Sequence, residues 1–144
     1  MCTTSRRCQL RVQRLVFAIV GMSLLLPTLL AASEIYVAPG GVGPGTPMSP
    51  AGLQAALNAA NGAAGDHVLF LQQGAYDAAA AGGFKITAVG NAAAKSITLS
   101  GGWNADYTTQ SDAAAVTVLD GYATTRVLSV LADGGTVPLH FHVE

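Results

Sequence analysis

The stretch Ser96–Gly121, SITLSGGWNADYTTQSDAAAVTVLDG, holds two short runs rich in β-branched residues, Ser96–Ser100 and Ala115–Leu119. Each is closed by glycine or an Asp-Gly turn, and a long polar excursion lies between them. Short apolar runs bounded by Gly, Asn and Asp read as strands. The same grammar continues on both sides: Phe84–Ala88 precedes this stretch, and Arg126–Leu131 and Thr136–Val143 follow it. The starts at 84, 96, 115, 126 and 136 lie 12, 19, 11 and 10 residues apart. That is too close for helical crossovers between parallel strands, each of which takes about 10 to 12 residues by itself. Hairpins or solenoid coils remain. Asp120-Gly121 and Asp133-Gly134 are the only Asp-Gly pairs, and the connections are uneven, which favours a solenoid whose side loops vary freely in length.

Upstream, Glu34–Ala38 (EIYVA) predicts a first strand, and Pro39–Pro47 a glycine-rich loop. The loop lacks Gly-Lys-Ser/Thr, and Thr46 stands where a third glycine would complete Gly-x-Gly-x-x-Gly, so it reads as surface loop rather than a phosphate cradle. Ser49–Asn61 predicts a helix, with Ser49 as cap, Pro50 at the first position and Asn61-Gly62 as a left-handed stop. Leu53, Ala56, Leu57 and Ala60 form one narrow apolar stripe, which suits a cap over a sheet or solenoid end. Val68–Leu71 predicts a continuous apolar strand ended by Gly74-Ala75-Tyr76, and Ala78–Gly83 a loop.

The first 33 residues differ from the rest. Arg6, Arg7, Arg11 and Arg14 precede the apolar run Leu15–Leu30 and the small residues Ala31, Ala32 and Ser33. This is the layout of a secretory signal peptide cleaved after Ala32 or Ser33. A membrane anchor fits less well, because the run has 16 residues and Pro27 interrupts it, whereas a span takes about 20. Ser5-Arg6-Arg7 leaves Sec and twin-arginine export both open. The expected organisation is therefore 1–33 signal peptide, 34–62 strand, loop and capping helix, and 63–144 the first coils. Beyond residue 33 only Lys85, Lys95 and Arg126 stand against eight acids, a net charge of −5. Such a chain has no basic footprint for nucleic acid or anionic lipid. Cys2 and Cys8 both fall in the predicted signal, so no disulfide is expected in the exported part, and no cysteine stands at the cleavage point to carry a lipid.

Taken together, Ile35-Tyr36-Val37 with the glycine loop and helix, Gly65-Asp66-His67-Val68 running to Gly74-Ala75-Tyr76, Leu99–Asn104, and Thr117–Gly121 with Arg126-Val127-Leu128 resemble the opening of secreted bacterial right-handed parallel β-helix proteins. These belong to the pectate-lyase-like superfamily (pectin lyase fold), in particular its polymorphic outer-membrane and choice-of-anchor surface proteins. The resemblance implies an all-β chain, the first coils of a right-handed parallel β-helix behind an N-terminal capping helix. It also implies an exported structural or adhesive, adhesin-like module at the cell surface, outside the cell or in the periplasm. On that comparison the chain looks truncated, since Thr136–Glu144 falls where regular repeats would begin. A polysaccharide lyase or glycosidase fragment on the same fold is the competing reading, and a non-functional truncated product a third.

Candidate sites are sparse. His140, His142 and Glu144 share one face of a predicted strand, with about 6 to 7 Å between alternate residues, and are the candidates for a metal. The plainer reading is the solvent face of a last strand. Asp106, Asp112, Asp120 and Asp133 stand singly, as turn residues rather than a calcium cluster. Trp103, Tyr107 and Tyr122 are rings that could stack on a sugar, and of these Trp103 and Tyr107 are the candidates. No nucleophile elbow exists, and no catalytic residue or cofactor is expected. The partners expected are carbohydrate or a surface protein, and a second copy meeting an uncapped C-terminal end.

Overall fold

The computed structural model describes residues 32–89, 95–113, 116–133 and 139–144. The signal-peptide expectation thus lies outside the described residues but for Ala32 and Ser33. Eight strands and one helix follow in the order β1 (Ser33–Val37), α1 (Leu53–Gly62), β2 (Gly65–Gln72), β3 (Gly74–Asp77), β4 (Phe84–Val89), β5 (Lys95–Trp103), β6 (Thr117–Asp120), β7 (Leu128–Asp133) and β8 (Leu139–Val143). They form a four-stranded sheet of order β1-β2-β5-β8 and two two-stranded sheets, β3-β6 and β4-β7. Every strand pair is parallel. From β2 onward the chain visits the three sheets in a fixed order, β2-β3-β4 and then β5-β6-β7, and returns to the first with β8. The chain is therefore mostly β, its sheets parallel, and no pair among the described strands is a hairpin.

Alternation along each strand decides what is stacked. Register places Ile35 beside Leu69, Leu69 beside Leu99 and Leu99 beside Val143 on the inner side, with His67, Ile97 and Phe141 in the row next to it. Tyr76 lies beside Leu119 in the second sheet, and Phe84 beside Leu128 and Ile86 beside Val130 in the third. The apolar members of these rows, apart from the exposed Val130 and Val143, converge with Leu53 and Leu57 of α1 into one core. Each fully buried leucine or isoleucine there is worth about 1.5 to 3 kcal/mol over its exposed state. The corner from β2 to β3 is the single residue Gln73, whose N–H donates to Trp103 O at 2.7 Å while Gly74 N donates to Val116 O at 2.7 Å. Gly74-Ala75-Tyr76 is thus a strand of its own, not the end of the preceding one. The corner conceals that, because Gly74 has a φ of 139° that a side chain would disfavour.

The helix starts later than its sequence suggests. Gly52 occupies the cap position in an extended conformation, and no side chain caps the first turn. Ser49 is held instead in a bridge with Thr46, and Ala51 lies against the outer edge of β1, donating to Tyr36 O at 2.9 Å and accepting from Ala38 N at 3.1 Å. Edge pairing thus takes the residues that would have opened the helix. Its end differs too. Gly62 closes the helix and Ala63 follows in an extended conformation at φ −103°, not in the left-handed one. The nearly buried Lys95 ammonium donates to the carbonyls of Ala60 and Asn61 in place of a glycine stop.

The buried face of α1 is the predicted stripe, Leu53, Ala56, Leu57 and Ala60. It lies against β1 and β4, and its polar side chains finish the free edge of β4. Gln54 pairs with the Lys85 backbone, and Asn61 Nδ2 donates to Thr87 O at 2.9 Å.

Candidate functional site: the aromatic outer face of the large sheet

The same alternation that buries Ile35, Leu69 and Leu99 turns Tyr36 and Phe70 outward as direct neighbours. A register shift between Phe70 and Gln72 brings Trp103 into line on the next strand. Ring centroids are 5.3 Å apart for Tyr36 and Phe70, and 5.1 Å for Phe70 and Trp103, the latter pair edge to face at 85°. Three successive strands therefore carry one row of half-buried rings.

The excursion after β5 folds back onto this row. Gly102, at φ 82°, turns the chain so closely past Ser111 that a Cβ there would lie 2.4 Å from the Ser111 carbonyl oxygen. Asn104 organises the loop: its Oδ1 accepts from Thr108 N at 2.8 Å and Thr109 N at 3.2 Å. Tyr107, held at φ 53°, places its ring edge-on to Tyr36 at 4.9 Å. The excursion is thus a packed cover for one end of the aromatic row, not a free side loop. A non-glycine residue in the left-handed region costs about 1 to 2 kcal/mol, which the Tyr36 contact and the burial of the Tyr107 ring offset.

The two sugar-contact candidates are brought into one cluster but play different parts. Tyr107 is only 9% exposed, and its hydroxyl has no described partner. Burial pushes its phenol above the ordinary tyrosine pKa. Trp103 is half-buried, with Nε1 donating to Ser100 Oγ at 3.2 Å. Gln110 Nε2 donates to the same oxygen at 3.1 Å and to Gly101 O at 2.9 Å. Tyr36 Oη donates to Glu34 Oε2 at 2.8 Å, and this bond raises the phenol pKa. The accessible apolar surface is therefore that of Tyr36, Phe70 and Trp103, rimmed by Glu34, Asn104 and Gln110. The sequence marks neither Phe70 nor Tyr36 as a site residue, although the alternation along their strands places both on the outer face.

At the base of the excursion lies an open pocket of about 240 Å³, lined by Gly101, Gly102, Gln110, Asp112, Thr117 and Glu144. His140 and His142 are exposed on β8 and Glu144 follows it, with His142 Nε2 3.7 Å from Glu144 Oε2 and side chains 66% and 55% exposed. Among the described residues no three His, Cys, Asp or Glu side chains gather as a metal would require. Asp120 serves a turn, accepting from Tyr122 N at 2.7 Å. The side chain of Asp133 lies outside the described residues. One buried polar group had no sequence signal beyond its place in the alternation: His67, 3% exposed, with neither ring nitrogen partnered among the described residues. No described helix is long and apolar enough to cross a membrane. Comparison with protein-family models, curated proteins and solved structures finds no match for the chain.

Proposed function

We propose that this chain is an exported, non-catalytic module built as a right-handed parallel β-helix, and that it adheres to polysaccharide through the outer face of its large sheet. The fold reading rests on the repeated circuit through three parallel sheets. Right-handedness follows from the rule that parallel crossovers within one sheet are right-handed in about 98% of cases. Export rests on the basic, apolar and small-residue layout of residues 1–33. The observation that carries the adhesive reading is the row Tyr36, Phe70 and Trp103, set across three adjacent strands and steadied by Tyr107 beneath the excursion. Rigid rings positioned in advance bind with little ordering cost.

Affinity electrophoresis against neutral and acidic polysaccharides tests this. Retardation by at least one glycan is expected. Trp103→Ala should abolish most of it, while Tyr122→Ala, at an exposed ring outside the row, should not. Absence of retardation by every glycan overturns the adhesive reading. Release of unsaturated uronate from polygalacturonate, with or without Ca²⁺, would replace it with a lyase.

A further inference from the structure

The rings of the aromatic row do not share a plane. Tyr36 and Phe70 are tilted by 30° with centroids 5.3 Å apart, too close for two rings lying side by side, so they overlap as offset neighbours. Phe70 and Trp103 then meet at 85°, and at the other end of the row Tyr107 stands at 78° to Tyr36. Each step along the row turns the apolar surface. No flat face can lie against the planes of both Phe70 and Trp103.

These turns are pinned from the sides. Trp103 Nε1 donates to Ser100 Oγ at 3.2 Å, and this buried hydroxyl also accepts from Gln110 Nε2 at 3.1 Å. Tyr36 Oη donates to Glu34 Oε2 at 2.8 Å, and the buried ring of Tyr107 closes on Tyr36 from the excursion. Swinging Trp103 into the plane of Phe70 breaks the Ser100 bond and parts an edge-to-face pair. The face therefore keeps its shape, and what binds it must follow that shape. Its charge narrows the chemistry as well. Across β1, β2 and β5 the outward side chains include the exposed Glu34 and Asp66 and no lysine or arginine, Lys95 being turned inward and buried. A polyanionic chain is repelled there.

A crystalline polysaccharide offers a flat face whose sugars are held in register. A solvated chain instead turns about its glycosidic bonds and can set successive sugars against differently inclined rings. Given the adhesive reading, on which this depends, we propose that the ligand of the face is a single solvated chain of uncharged sugars, and that crystalline polysaccharide is rejected.

Two measurements on the exported protein test this side by side. One is affinity electrophoresis through a panel of soluble neutral glycans that includes hydroxyethylcellulose and glycol chitin, with polygalacturonate as the acidic member. The other is depletion from solution by crystalline cellulose and crystalline chitin. At least one neutral glycan should retard the protein more than polygalacturonate does, and both crystalline polymers should leave it in the supernatant. Trp103→Ala should weaken the retardation about tenfold or more, with the circular dichroism spectrum unchanged. Depletion by either crystalline polymer that Trp103→Ala relieves, or retardation by polygalacturonate equal to or stronger than by every neutral glycan, would overturn the proposal and leave adhesion standing. Neither retardation nor depletion by any polymer would remove the adhesive reading itself, and this proposal with it.

Discussion

Gln54 meets Lys85 as a neighbouring strand would: its Oε1 accepts from the Lys85 N–H at 2.8 Å and its Nε2 donates to the Lys85 carbonyl at 2.9 Å. One side-chain amide thus replaces a rung of the ladder at the edge of β4. Both bonds are exposed, so water compensates in part for their loss. Gln54→Ala should therefore cost about 1 to 2 kcal/mol, read as a lower urea midpoint with an unchanged slope. Gln54→Glu keeps the acceptor and loses the donor, and should fall between. An effect of either variant within error would show that the edge is not held by this pair.

Tyr76 ties the first circuit together, its single hydroxyl proton shared between Gln72 O at 2.9 Å and Val37 O at 3.0 Å. Burial, then the neighbouring Tyr107, pushes its pKa well above the ordinary tyrosine value, against the lowering effect of the Gln72 bond. A raised folded pKa means stability that is fully present below the unfolded value of about 10 and lost as pH climbs beyond it. Tyr76→Phe should cost about 1 to 2 kcal/mol at neutral pH. Above pH of about 10 the parent should lose up to about 1.4 kcal/mol per pH unit through this group, and the gap to the variant should close. Parallel stability curves for the two proteins across that range would contradict the assignment.

Glycines in this chain fall into two kinds that substitution tells apart. Gly102 has φ 82° and no room for a Cβ beside the Ser111 carbonyl, whereas Gly62, at the end of α1, has nothing within 4 Å. Gly102→Ala should cost about 1 to 3 kcal/mol, and should shift the emission of Trp103, the one tryptophan, to the red as the excursion lifts. Gly62→Ala should instead stabilise by about 0.5 to 1 kcal/mol. No loss of stability and no change of emission on Gly102→Ala would remove the excursion's claim to a fixed position.

Much of the architecture is legible in the chain itself. The crowding of strand starts between 84 and 136 rules out helical crossovers, and the alternation in Gly65–Gln72 already separates His67, Leu69 and Leu71 from Val68 and Phe70. What local reading misses is competition from distant partners. Ser49 and Pro50 have every attribute of a helix start, yet Ala51 is drawn to the edge of β1 by two backbone bonds. Trp103 and Tyr107 stand out as aromatics, but only the fold shows one of them spent on packing and brings in Phe70 and Tyr36, from strands far earlier in the chain.

The Tyr36–Tyr107 contact has a consequence for how the molecule comes apart. In a stacked array each layer touches only its neighbours, so layers can in principle fray one at a time from an end. Here the first strand is clasped by a ring that arrives only after the fifth. Losing β1 exposes the underside of the excursion, and losing the excursion uncovers β1, so hydrogen exchange at the two sites rises and falls together, as one cooperative unit.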